Sequence, residues 1–357
     1  ARPRYLPDEI AMRGATDMPM EFGFFMRGQY PASADMQETF AEACEQARVA
    51  DELGYTYLLK GQHYSSTPLQ ALQLVPFLSR IMVEAPNAKL VTGIVLLPLH
   101  KPLDVAEQLA SIDVMSGGRL VFGSGIGYRD VEFKAFGTEA KDRGARFEEC
   151  LDAIKRLWTE EYVTLKGSHF ELDNASCSVL PVQKPMPPLW IGANVDAAVR
   201  RCARMADTWF INPHQRMDTI ERQLGVYRQA LEAEGKPDPA VLPLMRECFV
   251  AQTTEKAVEL ARPYLEAKYK SYHEWGQDKS MPEGDNDLNL PFEELADGRF
   301  LLGSPEVVAE QIIDYNKRLG VNLIILGIQW VGMPHQQVID SLRLFAAEVM
   351  PLVKEAT

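Results

Sequence analysis

The sequence predicts an α/β chain folded as a (β/α)8 TIM barrel with insertions at the C-terminal mouth. Three observations carry that prediction. Eight short apolar segments recur along the chain, each followed by a stretch of helical length and periodicity. The 357 residues, 46% hydrophobic and 24% charged, suit a globular chain with a large core. The surplus over the roughly 250 residues of a typical barrel falls in two stretches, 125–188 and 271–300, so the chain reads as one domain over 1–357 with an N-terminal extension at 1–19.

The first strand is expected at 21–25, ending in Met26, Arg27 and Gly28. A helix follows at 36–53, with Asp35 placed to cap it and Glu38 at capping-box spacing, and Gly54 stops it. Strand two, 55–60, runs into Gly61, Gln62, His63 and Tyr64. A helix at 68–83, strand three at 89–97, a helix at 102–115 and strand four at 119–124 continue the alternation. A loop runs to Arg143, a helix spans 144–158, and 162–172 reads as a hairpin centred on Lys166 and Gly167. The Pro-rich piece 181–188 is excluded from helix and central strand. Further strands are expected at 189–192, 208–212, 244–252 and 322–328, with helices at 195–206, 216–234, 255–270, 305–319 and 335–353.

The net charge of −13 argues against nucleic-acid or anionic-membrane binding by bulk electrostatics. Cys44, Cys150, Cys177, Cys202 and Cys248 are widely spaced and form no C-x-x-C pair, which fits free thiols in a reducing compartment. The first twenty residues lack the apolar core of a secretory signal, and the longest apolar run is too short to span a bilayer, so the chain reads as cytoplasmic.

Barrel chemistry sits where strands end. Gln62 and His63 follow strand two, where an imidazole able to titrate near neutrality is either functional or a hydrogen-bonded mouth residue. Thr92, Gly93 and Ile94 lie in strand three; the glycine admits either close approach of a flat ligand or a packing bulge. Strand four ends in Gly123, Gly125, Gly127 and Tyr128, a G-x-G-x-G run that misses the dinucleotide fingerprint but suits contact with a phosphate or ribityl chain. Gly192, Ala193 and Asn194 precede a helix, giving either an anion site or an ordinary Asn-capped terminus. Strand eight ends near Trp330, expected at the mouth. The histidines form no H-x-x-x-H or H-E-x-x-H set and no G-x-S-x-G occurs, so metal-hydrolase and α/β-hydrolase readings lose support.

The segments LLPLHKP at 96–102, AEQLASIDVMSGGRL at 106–120 and GIGYRDVEFKAFG at 125–137 resemble the bacterial luciferase-like flavin-dependent oxidoreductases. Shorter matches at Arg143 and Arg146, Trp158, Pro181 to Pro185, Trp190, Asp207 and Trp209, and Gly303 to Pro305 extend the resemblance over nearly the whole chain. It implies a homodimeric barrel that binds flavin at the strand C-termini, and a monooxygenase using O2 and reduced FMN from a partner reductase to oxidise a small, hydrophobic organic substrate. Carried over residue by residue, Gly93 and Ile94 match a non-proline cis peptide against the flavin ring. Gly127, Tyr128, Gly192, Ala193 and Asn194 match the ribityl and phosphate surroundings, Met26, Thr92 and Trp330 complete the cofactor set, and Gln62 and His63 are the catalytic pair. Two departures bear on the flavin. Gln62 stands where many members have the first histidine of a pair, and Ile126 where luciferase has an arginine. Relatives that use a 5-deazaflavin coenzyme for hydride transfer also lack that arginine, so a deazaflavin oxidoreductase is the alternative, as is a non-catalytic flavin-binding relative. A solute-binding protein or a flavin-free sugar-phosphate barrel fits less of the sequence.

Overall fold

The computed structural model describes residues 19–357, so the predicted N-terminal extension lies, up to residue 18, outside the described residues. The fold is α/β, built on a curved parallel sheet with helices on its outer face. Its strands are β1 (Glu21–Phe25), β2 (Tyr57–Lys60), β3 (Lys89–Thr92), β4 (Leu120–Gly125), β5 (Leu189–Gly192), β6 (Thr208–Phe210), β7 (Pro243–Val250), β8 (Phe300–Gly303) and β9 (Leu323–Gly327). They hydrogen-bond in the order β6, β5, β4, β3, β2, β1, β9, β7, β8, and the short strand Val95–Leu96 adds to β4. Just past β6, Ile211 pairs in parallel with Leu244 of β7. Parallel strands need crossovers. The main ones are α1 (Met36–Glu52), α2 (Leu74–Glu84), α3 (Pro102–Ser116), α4 (Arg143–Thr159), α5 (Asp196–Met205), α6 (Met217–Ala233), α7 (Thr254–Glu274), α8 (Pro305–Leu319) and α9 (His335–Leu344).

The period of two in a strand sends alternate side chains to opposite faces, and here it separates two cores. Phe24, Leu58, Leu90, Phe122, Ile191 and Ile324 join the outer core between sheet and helices. Phe25, Tyr57, Leu59, Val91, Val121, Trp190, Phe210, Met245, Leu323 and Ile325 form a separate inner core. Within it Trp190 meets Tyr57 at 5.6 Å and Phe210 at 5.8 Å between ring centroids. Burial on both faces explains why the strands read as continuous apolar runs. The inner core fills the concave side of the sheet, and a cavity opens beyond it at the strand C-termini.

Several elements differ from expectation: strand three, expected at 89–97, breaks after Thr92 and resumes as Val95–Leu96, and the helix expected at 335–353 is divided at Phe345. Strand β8 falls at the edge of the segment assigned to the 271–300 insertion, because four residues, FLLG, are too few to show a period. Helix α2 begins at Leu74 rather than at 68, since Gln70–Ala71 pairs antiparallel with Gln29–Tyr30 and the Gln70 amide donates to the carbonyls of Pro31 and Ala34. The loop after β4 contains a helical turn, Asp130–Ala135. Helix α7 runs on to Glu274, four residues beyond its predicted end. As foreseen, the Asp35 carboxylate caps α1, accepting from the amides of Gln37 and Glu38 at 2.8 and 3.3 Å. No described helix is long and apolar enough to cross a membrane.

Trp190 is buried at the centre of the inner core, so Trp190→Ala is expected to destabilise the fold by about 3–5 kcal/mol, read as a lower urea midpoint with an unchanged slope.

Candidate functional site

A cavity of about 470 Å³ opens above the inner core, with Phe25, Phe210 and Met245 as its apolar floor. Its walls come from the ends of β1 to β7 and from the segment that follows α7, which contributes Gln277, Lys279 and Ser280. Backbone placement at strand ends is rigid, which suits a site that must hold a ligand in one orientation.

One wall is flat and apolar. Gly93 and Ile94 are joined by a cis peptide bond and both line the cavity. Two glycines of β4 make this wall possible. A Cβ on Gly123 would lie 2.0 Å from the Thr92 carbonyl oxygen, and one on Gly125 would lie 2.0 Å from Ile94 Cδ1. The first two glycines of the G-x-G-x-G run therefore serve the approach of the neighbouring strand, not a phosphate. Gly127 and Tyr128 do reach the cavity, and the buried Tyr128 hydroxyl has no partner among the described residues.

His63 stands on the adjacent wall. Its Nδ1 lies 3.1 Å from Oε1 of Glu132, a buried carboxylate that also accepts from the Tyr64 amide at 2.9 Å and from Arg129 at 3.3 Å. This bond fixes the ring, and Nε2 has no hydrogen-bond partner among the described residues. Gln62 is committed elsewhere: its Oε1 accepts from the Leu96 amide at 2.9 Å and meets His100 Nε2 at 3.1 Å, while its amide donates to the Tyr64 hydroxyl. Trp275 leans over this wall, 5.7 Å from the His63 ring and 4.2 Å from the Arg129 guanidinium.

A third part of the lining, beside the Gly93 wall, is cationic: the Lys60 carbonyl accepts from the Gly93 amide at 2.8 Å. Arg27 donates to both oxygens of Glu247 at 3.1 and 3.0 Å, to the Tyr272 hydroxyl at 3.0 Å and to the Gln329 carbonyl. Glu247 is fully buried and also takes hydrogen bonds from Lys268 and from the Trp330 indole. Burial alone would raise this carboxyl, but Arg27 and Lys268 outweigh it and hold it at about 2. Lys60 lines the same wall, and burial, with Arg27 adding to it, pushes its amine down to about 7. His214, also in the wall, is held far below the ordinary imidazole value by burial and then by Lys268.

The outer end of the cavity gathers Asn194, Val195, Arg143, Arg201 and Lys279. Helix α5 starts here with Val195 at its N-cap and no side-chain cap; the Ala198 amide donates to the Val195 carbonyl, the amides of Asp196 and Ala197 have no partner among the described residues, and the Asp196 carboxylate of that turn is paired with Arg222. The expected Asn194 cap does not form, because the Asn194 side chain is held by Asn212 and Met281.

Of the predicted residues, Gln62, His63, Gly93, Ile94, Gly127, Tyr128, Gly192, Ala193 and Asn194 come together on this cavity. Three lie elsewhere. Met26 is buried in the outer core, since its position puts it on the far side of the strand end from Arg27. Thr92 ties β3 to β4 through its hydroxyl, which donates to the Gly123 carbonyl and accepts from the Gly123 amide. Trp330 is fully buried behind Glu247, not at the mouth. Arg27, Lys60, His214, Tyr272 and Trp275 were not foreseen. For Arg27 and Lys60 a signal existed: each is a cation closing an apolar strand at its C-terminal end.

A family model described as luciferase-like monooxygenase matches residues 20–323. An FMNH2-dependent dimethylsulfone monooxygenase of Pseudomonas putida is 28% identical, covering 87% of this chain and 86% of its own. The oxygenase component of a flavin-dependent trigonelline monooxygenase of Acinetobacter baylyi is 24% identical over 94% of this chain and 96% of its own. Among solved structures, a monooxygenase from Streptomyces bottropensis superposes with a TM-score of 0.79 at 26% identity, covering 93% of this chain and 99% of its own.

Glu247→Gln strands two buried cations and is expected to cost about 3–5 kcal/mol at pH 7. Because the native carboxyl sits near 2, well under its ordinary value of 4.5, the stabilisation is present above about 4.5 and is lost as the pH falls toward 2. Urea titrations of both proteins should therefore converge across that window.

Proposed function

Because the chain belongs to the luciferase-like monooxygenase family, we propose that it binds reduced FMN in this cavity and uses O2 to oxidise a small organic substrate. The relatives named as FMNH2-dependent or flavin-dependent monooxygenases support that choice over a deazaflavin. In the same reading β1 to β7 and β9 close into an eight-stranded ring through the Ile211 and Leu244 pair, with β8 outside it, and 125–188 and 271–300 are the coverings of the mouth. A partner reductase, a homodimer and a cytoplasmic setting belong to this proposal too.

The observation that carries it is the joining of three features in one cavity: a flat wall at Gly93 and Ile94, an uncapped helix terminus with nearby cations, and an oriented imidazole. The donor set fits FMN. The α5 terminus, Arg201, Arg143 and Lys279 suit the phosphate, Tyr128 supplies an unsatisfied hydroxyl for the ribityl chain, and Ile94 supports the ring. Bound and reduced, FMN supplies the electrons that activate O2. The protein's part is to orient, to exclude water and to handle a proton. Glu132 holds His63 so that Nε2 can give or take a proton at the cavity face, while Trp275 and Tyr272, 5.7 Å apart and stacked, cover the site against solvent.

Titration with FMN and with a deazaflavin side by side, followed by oxygen uptake with reduced FMN, tests this. FMN should bind at least about tenfold tighter, equivalent to about 1.4 kcal/mol, and candidate substrates should stimulate oxygen uptake. Tight deazaflavin binding without oxygen consumption would overturn it. His63→Asn is expected to lower turnover about 100-fold while leaving FMN affinity within about threefold.

A further inference from the structure

We propose that Lys60 and Arg27 form an oxyanion subsite that takes a carboxylate or sulfonate group of the substrate. This rests on the reading above, in which FMN takes the part of the cavity between Gly93, Ile94 and the α5 terminus.

The argument starts from charge. Lys60 is 2% exposed and lines the cavity. Its ammonium has three protons to place, and the protein accepts two, at the carbonyls of Arg27 and Gly61, both 3.1 Å away. No described carboxylate lies within ion-pair distance of it, and the ring of Phe77 lies 5.5 Å from the nitrogen. Arg27, beside it, shares its one carboxylate, Glu247, with Lys268. Three buried basic groups thus share a single buried carboxylate, in a chain whose net charge is −13. A buried cation without a counter-ion is costly, and a ligand carrying one negative charge would remove part of that cost. The neutral amide of Gln29, also buried and lining the cavity, adds a donor for a second oxygen.

A purely structural role is the competing account: Lys60 would staple the ends of β1 and β2 through the two carbonyls, with Gly28 leaving room for its stem. Such a staple has no preference between a charged and a neutral ligand. Burial and Arg27 also bring Lys60 down to about 7, so the subsite should weaken as the pH rises through that value. Arg27 is the charged group acting on Lys60. The elements packed around it otherwise present Phe77 from α2, Thr92 from β3 and Gly28, none of which titrates.

The test uses benzoate and benzamide, matched in shape, titrated calorimetrically into the FMN-loaded protein. Benzoate should bind at least about tenfold tighter, and Lys60→Met should abolish that preference while FMN affinity stays within about threefold. In the wild type, benzoate affinity should fall about tenfold per pH unit above the Lys60 value, which keeps the proposal open to refutation if the variant does not fold. Equal or undetectable binding of the two probes, a flat pH profile between 7 and 9, or an unaltered preference in Lys60→Met overturns it. Loss of FMN binding from the wild type, with benzoate still preferred by the protein alone, counts against the functional reading and not against the subsite.

Discussion

The buried carboxylate of Glu247 is the interaction on which the rest of the site depends. It stands on β7 with no exposure to solvent and gathers Arg27 from the β1 end, Lys268 from α7 and the indole of Trp330 beyond β9. Four separate parts of the chain are thereby locked to one point beneath the cavity wall. Buried ion pairs contribute little net stability compared with apolar packing, but removing one member is severe because the others stay buried and uncompensated. Such a cluster specifies position more than it adds stability. Here it fixes the direction of Arg27 and, through the Tyr272 hydroxyl, the end of α7.

Beside that fixed wall stands a second one of different character. The β3 and β4 strands approach so closely at Gly123 and Gly125 that no side chain fits between them, and the result is a smooth surface at Gly93 and Ile94. His63 lines the same cavity with its orientation set by Glu132. A redox cofactor that does the difficult chemistry itself asks the protein for orientation, anion binding and dryness, and the cavity provides a surface or a group for each. The overall acidity of the chain makes the cationic wall and the outer cluster local exceptions, which is how an acidic protein can still select anionic ligands.

Much of the fold was legible in the sequence because both-face burial turns each parallel strand into a compact apolar run between helices with strong periodicity. The positions of β1 to β7 and β9 follow from that pattern. β8 did not, since FLLG next to a polar segment carries no periodic signal, and the start of α2 was misplaced because the Gln70 side chain binds loop carbonyls that no local rule foresees. In the site, the residues readable from turn chemistry and family resemblance, such as Gly93, His63 and Asn194, do reach the cavity. Trp330 was expected at the mouth because it follows the last strand, whereas it is buried and its indole N–H satisfies a buried carboxylate. Glu247 and Tyr272 were invisible for a related reason: their roles come from pairing over sequence separations of 220 and 245 residues with Arg27.

A crystal structure of the protein soaked with FMN tests the division of the cavity most directly. The account predicts the isoalloxazine ring against Gly93 and Ile94, the phosphate at the α5 terminus near Arg201 and Lys279, and space left in front of Lys60 and Arg27. A phosphate seated on Lys60 and Arg27, or a ring lying away from Gly93 and Ile94, would contradict it.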